Sequence, residues 1–173
     1  MGAATTTSRA PDARFLVSHP AHFIALGFGA GLAPRAPGTF GTLAALALYH
    51  LLALALPAIA VAFLAIPLFF VGAWACGVTE RDLGEHDHGA MVIDEIVAFL
   101  PLAAVASASL WLQAVAFLLF RLFDVWKPYP IRLVESNVKG GIGAMLDDLM
   151  AGAYAYIAFV VFIVVMHKGF GFQ

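Results

Sequence analysis

Cysteine is nearly missing from this sequence: Cys76 stands alone among 173 residues. A lone cysteine closes no disulfide within its own chain, so the redox compartment is not legible. Its place inside an apolar run makes it an inert packing residue. Charge is also scarce. Asp, Glu, Lys and Arg make up 12% of the chain and the formal net charge is only -2, where soluble domains carry about 25% charged residues. So small a net charge implies no polyanionic partner, and no basic run or stacking motif suggests nucleic-acid binding. Zinc-type spacing such as His-Glu-x-x-His does not occur. Met1 to Arg14 is small and polar and lacks the apolar core of a cleavable signal peptide. It reads as a disordered tail. Met1-Gly2 with Thr6 fits the myristoylation pattern, but the pattern is too short to displace that reading.

Apolar residues are what the chain has in excess. They form 62% of it, against about 45–50% in soluble domains. The sequence therefore belongs to the membrane class, with one domain over residues 15–168. Phe15 to Leu32 is moderately apolar but broken by His19, Pro20 and three glycines. It reads as an interfacial helix entering a loop, with His19 and His22 as wet surface residues. Pro34 to Thr42 follows, and Thr39 or Thr42 can cap the helix that begins there. A helix N-terminus also suits phosphate. Leu43 to Val78 is almost wholly apolar. At about 20 residues per span it is long enough for two: a hairpin of Leu43–Leu56 and Ala58–Gly77, turning at Pro57. His50 has no partner nearby in sequence and reads as a hydrogen-bonded packing residue. Trp74, Trp111 and Trp126 read as interface anchors.

The charge that is present is concentrated. Thr79 to Glu95 carries Glu80, Arg81, Asp82, Glu85, His86, Asp87, His88, Asp94 and Glu95. Glu80 and Arg81 read as a solvated face. His86-Asp87-His88 and Asp94-Glu95 are better candidates, because ligand-type side chains cluster there beside a helix start. Ile96 to Phe120 is apolar again, with Ser107 and Ser109 near its middle. Phe120 to Pro130 sets Asp124 and Lys127 three apart, on one helix face, before Pro128 ends the helix. The polar connector Ile131–Lys139 leads to Gly140–Asp148, where glycines and two adjacent carboxylates precede the apolar run Leu149–Met166. Glycines permit close backbone approach to a ligand. Adjacent aspartates repel unless a cation or a proton separates them.

Crossing parity links these segments. The hairpin 43–77 returns the chain to the side it left. If Ile96–Phe120 crosses once, Asp147 and Asp148 lie on the opposite side from Asp94 and Glu95. If it turns near Ser107–Ser109, all of them share one side. The hairpin reading places every acidic residue, and every Lys or Arg except Lys168, on one face, and collected basic residues mark the cytoplasmic face. Arms of roughly a dozen residues are too short to cross a full hydrocarbon core and need protein around their backbone.

Abundant carboxylates point to a hard cation such as Mg²⁺, which binds carboxylates, waters and phosphate oxygens. Lys127 offers a point charge to phosphate, and the glycines and Asn137 offer N–H donors. Such an ion can neutralise phosphoryl oxygens and activate water. The implied chemistry is phosphate-ester hydrolysis at a membrane surface. The signatures of the CDP-alcohol phosphotransferases, the vanadium-type lipid phosphatases, the haloacid-dehalogenase fold and the P-loop do not occur.

Four blocks, taken together, resemble the phosphatidylglycerophosphatase A family: Pro37–Gly41, Asp94-Glu95, Phe120–Pro130 and Gly140–Gly152. They cover about residues 15–165, in the family's order. The resemblance implies an all-helical fold; with the hairpins and the interfacial N-terminal helix read above, the expected architecture is an all-α, polytopic membrane helical bundle. It implies a Mg²⁺-dependent phosphatase in the bacterial inner membrane that converts phosphatidylglycerophosphate, a phospholipid, to phosphatidylglycerol. Asp94, Glu95, Asp147 and Asp148 are then candidate metal ligands or bridging acids, followed by Asp124 and Asp87. Lys127 would bind the substrate phosphate, with Thr39, Gly140, Gly141, Asn137 and Arg121 around it. His86 and His88 are weaker candidates. The runner-up is a non-enzymatic helical membrane protein, a transporter subunit or scaffold whose acids bind cations. A transporter should carry charge near mid-bilayer, whereas these charges gather at helix ends. A related phosphatase acting on a soluble phosphate ester is a third possibility.

Overall fold

The computed structural model describes residues 10–107 and 109–170. The myristoylation pattern and most of the expected tail lie outside these residues. The elements are α1 (Ala13–Ser18), α2 (Pro20–Ala25), a 3-10 segment (Gly27–Leu32), α3 (Pro37–Leu52), α4 (Ala58–Leu83), α5 (Ile93–Val105), α6 (Leu110–Trp126), α7 (Ile131–Asn137) and α8 (Gly141–Phe170). The described residues contain no strand, so the chain is all-helical as expected.

The N-terminal segment is two short helices instead of one. Asp12 caps α1 by accepting from the N–H groups of Arg14 and Phe15 at 3.0 and 2.9 Å. His19 is extended and caps α2 through Nδ1, which accepts from Ala21 N–H, while Pro20 opens the helix. His22 is not wet. It is 3% exposed, with Nε2 at 2.8 Å from Asp82, because α2 packs on α4.

Helix α3 starts at Pro37, six residues before the apolar run that announced it. Pro37 stands in the first turn, where its missing N–H costs nothing. Neither threonine caps the helix. Thr42 instead donates back to the Gly38 carbonyl at 2.9 Å. Past the turn at Pro57, α4 runs to Leu83 and is closed by Gly84 in the left-handed conformation, φ 68°.

Helix α5 is the hub, packed on α3, α4 and α8. Its sequence is apolar nearly all round after Glu95, the pattern of a helix covered on every side, and Phe99 and Leu100 are wholly buried. Close packing needs small residues opposite. A Cβ on Gly72 would meet Met145 Sδ at 2.7 Å, and one on Gly141 would strike the Ala73 carbonyl. The segment 96–120 is a hairpin, as parity favoured: α5 ends at Val105, and Ser109 Oγ caps α6 by accepting from Trp111 N–H at 3.2 Å.

Among the described residues, two helices are long and apolar enough to cross a membrane: α4, and residues Gly141–Gly169 of α8, with mean hydropathies of 2.3 and 2.4. Both leave large apolar side chains open, among them Phe63, Phe70, Ile157 and Val161. The up-down order brings the start of α3, the end of α4, the start of α5, the end of α6 and the start of α8 to one end of the molecule. That end holds the acids of α5, α6 and α8.

Candidate active site

Asp94 and Glu95 occupy the first turn of α5, whose N-cap, Val92, has no side chain to bond the free N–H groups. Asp94 takes up part of that role, its Oδ1 accepting from the Glu95 N–H at 3.0 Å. Asp148 lies in the second turn of α8. Carboxylate oxygens of Asp94, Glu95 and Asp148 come within 4.8 Å of one another. Asp94 and Asp148 are buried and the Glu95 side chain is 12% exposed. Glu95 Oε2 is buried without a hydrogen-bond partner. Burial pushes the Glu95 carboxyl up to about 8, with Asp148 and Asp124 adding to the rise and Asp94 and Arg121 opposing it. Burial and then the Glu95 charge likewise hold Asp94 well above the usual carboxylate range. Three crowded, desolvated acids require protons or a cation between them. Their all-oxygen donor set and the unpartnered Glu95 oxygen fit a hard divalent ion such as Mg²⁺.

Arg121 closes one side of this cluster. Its Nη1 lies 2.6 Å from Asp124 Oδ2, 3.7 Å from Glu95 Oε1 and 3.5 Å from Thr42 Oγ1. Asp124 is buried because it continues the inward face of α6 through Gln113, Ala116 and Phe120. Gly38 touches the same group: a Cβ there would strike Glu95 Oε1 and stand 2.9 Å from Arg121 Nη1. The Pro-Gly-Thr block thus lays bare backbone beside the acids. Thr39 is half-buried in the same turn.

Asp147 and Asp148 part company. Successive helical residues point about 100° apart, so Asp148 turns toward α5 and Asp147 toward α6 and α7. Lys127 Nζ donates to Asp147 Oδ2 at 2.6 Å and to Glu135 Oε1 at 2.9 Å. Burial alone would lower the lysine's proton affinity. The bonds to Asp147 and Glu135 outweigh that and hold its pKa above the ordinary value. Lys127 also ends α6 in the left-handed conformation, φ 44°, ahead of Pro128. It therefore leaves the face it would have shared with Asp124, which pairs with Arg121 instead.

A second, polar cavity of about 240 Å³ adjoins Asp147. It is lined by His86, Asp87, Glu135, Val138, Lys139, Gly143, Ala144 and Asp147. Asp87 is in this cavity and outside the three-acid cluster. The Gly140–Asp148 stretch is not a ligand loop: apart from Gly140 it is the start of α8, and Gly141 and Gly143 clear the Ala73 and Val138 carbonyls. Gly140 N–H faces His86 Nε2 at 3.4 Å. Asn137 bonds within its own helix, to the Leu133 carbonyl at 2.7 Å. His88 bonds Ala90 N–H.

Sequence reasoning missed Glu80. It is not on a solvated face: its side chain is 10% exposed and its Oε1 holds His86 Nδ1 at 2.9 Å and Asp87 N–H at 3.3 Å. The signal was present. Gly72, Ala75, Cys76 and Thr79 are buried at helical spacing, and Glu80 follows Cys76 by one turn.

Residues 23–163 match the family model of Phosphatidylglycerophosphatase A. The chain is similar to "Phosphatidylglycerophosphatase A" of Escherichia coli, at 40% identity over 80% of this chain and 81% of that protein. It is similar to the protein of the same name from Haemophilus influenzae, at 44% identity over 87% and 93%. A relative from Bacteroides thetaiotaomicron, provisionally named a phosphatidylinositol-3-phosphatase, is 43% identical over 80% and 90%. No solved structure matches the chain.

Proposed function

The chain belongs to the phosphatidylglycerophosphatase A family, and from that premise we propose that it hydrolyses the terminal phosphomonoester of phosphatidylglycerophosphate, giving phosphatidylglycerol and phosphate. The observation that carries the reading is the convergence of Asp94, Glu95 and Asp148 from α5 and α8 within 4.8 Å. These three acids would hold Mg²⁺, which when bound supplies charge neutralisation at the phosphoryl oxygens and lowers the pKa of a bound water. Arg121 pairs with Glu95 and Asp124 and orients them. Lys127, tied between Asp147 and Glu135, stands ready as a phosphate contact. The bare backbone at Gly38 lets Glu95 and Arg121 pack directly against the start of α3.

The proposal includes place. Helices α4 and α8 span the bacterial inner membrane in a multi-pass bundle, with α1 and α2 at the interface. The charged end faces the cytoplasm, where the acids meet lipid phosphate. Exposed Trp74, Trp111 and Trp126 suit interfacial anchoring.

The test is phosphate release from phosphatidylglycerophosphate by purified protein, with and without Mg²⁺, beside Asp94→Asn and Asp148→Asn. Metal-dependent release that both substitutions abolish is the expected result. A folded wild-type protein that releases nothing under either condition sinks the function. Undiminished turnover in both variants sinks only the assignment of the acids.

A further inference from the structure

We propose that the polar cavity between the Asp87 loop, α7 and the start of α8 binds the hydroxylated glycerol head group of the lipid, and so selects among phosphomonoesters. This rests on the reading of Asp94, Glu95 and Asp148 as the phosphate site. The cavity holds about 240 Å³, below the roughly 300–1,000 Å³ of pockets that take drug-sized ligands. It has room for a small polyol and none for a lipid body. Its floor is Gly143, Ala144 and Asp147. Asp147 is 4% exposed. One of its oxygens is held by Lys127, and the other, Oδ1, is buried with no hydrogen-bond partner. Buried acceptors are nearly always satisfied, so a lone one lining a cavity marks where a donor enters.

The walls supply the rest. Asp87 and Glu135 are acceptors, Lys139 is a cation at the exposed rim, and His86 is oriented by its bond to Glu80. A hydroxyl both donates and accepts, and so matches this mixed lining. A phosphate held inside does not, because three carboxylates would surround it, so the phosphodiester that flanks the glycerol stays at the exposed Lys139 rim. Asp147 of the cavity and Asp148 of the three-acid cluster are consecutive, so the two sites are neighbours at the start of α8.

The test sets phosphatidylglycerophosphate beside phosphatidic acid, which carries a terminal phosphomonoester with no glycerol between it and the diacylglycerol. Both are assayed in the same micelles with wild type, Glu135→Gln and Lys139→Gln. Lys139→Gln leaves the Lys127 pair intact and so guards against an indirect effect. Losing a hydroxyl contact should lower kcat/KM for phosphatidylglycerophosphate about tenfold, chiefly through KM. Phosphatidic acid should be little affected. Equal losses on both lipids overturn the proposal, because the cavity then serves the shared phosphate or a cation. No loss on either overturns it too. A second readout is independent of turnover: sn-glycerol 3-phosphate should raise the melting temperature of wild type more than inorganic phosphate does, and Glu135→Gln should erase the difference. Equal shifts in wild type reject the head-group site. An intact difference in a protein that hydrolyses neither lipid rejects the phosphatase reading and leaves the site standing.

Discussion

Metal binding and pH should be linked through Glu95, and the sign follows from its displaced pKa. The carboxyl moves from 4.5 to about 8 on folding without metal, mainly through burial. Each tenfold change in proton affinity is worth about 1.4 kcal/mol, so the displacement amounts to about 5 kcal/mol. Below pH 4.5 the group is protonated whether the chain is folded or not, and pH has no effect through it. Between 4.5 and 8 the unfolded chain has lost the proton and the folded one keeps it. Stability of the metal-free protein therefore falls as pH rises through this window, and levels off above 8. A cation reverses the balance by replacing the proton. Through Glu95 alone, Mg²⁺ affinity should climb by up to about tenfold per pH unit toward 8, with one proton released from this group per ion bound and any from Asp94 in addition. The assay is titration calorimetry at pH 6, 7 and 8, in buffers of different ionisation enthalpy, beside melting curves with EDTA and with Mg²⁺. Mg²⁺ should stabilise little at pH 5 and strongly at pH 8. An affinity unchanged between pH 6 and 8, or the same pH slope in Glu95→Gln, would refute the reasoning.

Three further outcomes follow from geometry. Gly38→Val places a side chain on Glu95 Oε1 and Arg121; phosphate release should drop by about 10²-fold, the cost of a misplacement near 1 Å, while the circular dichroism spectrum stays helical. Ser109→Ala removes the cap of α6, far from the acids; it should cost about 1 kcal/mol, read as a melting temperature lower by about 2–4 °C, with turnover unchanged. Gln113→Leu strips His50 of its 3.0 Å partner and should cost about 1–3 kcal/mol, most of which the double variant with His50→Leu should recover, since replacing both partners leaves no polar group stranded.

Much of the architecture was legible in the residues. Apolar length alone marks α4 and the greater part of α8, because a helix that long and that apolar has few other homes. Pro57 breaks the first hairpin where a missing N–H must break it. One-sided charge favoured a hairpin over residues 96–120, and the end of α5 at Val105 and the Ser109 cap of α6 bear it out. Nearest-neighbour chemistry was less legible. The first turn of α3 was hidden because Pro37–Gly41 carries no apolar period, and the short helices α1 and α2 because His19 and Pro20 look like a loop.

By itself the sequence determined an all-helical chain, its long apolar helices, its family and the acids worth watching, since periodicity, length and motif spacing are local properties. Tertiary structure alone decided which acids meet. Asp147 and Asp148 are inseparable in sequence, yet a turn of about 100° sends one to a lysine and the other to Asp94 and Glu95. Glu80 looked solvated until the 86–87 loop folded over it, and His22 until α2 packed on α4. Burial, and with it the raised proton affinity of Glu95, depends on residues dozens of positions away, so no local pattern encodes it.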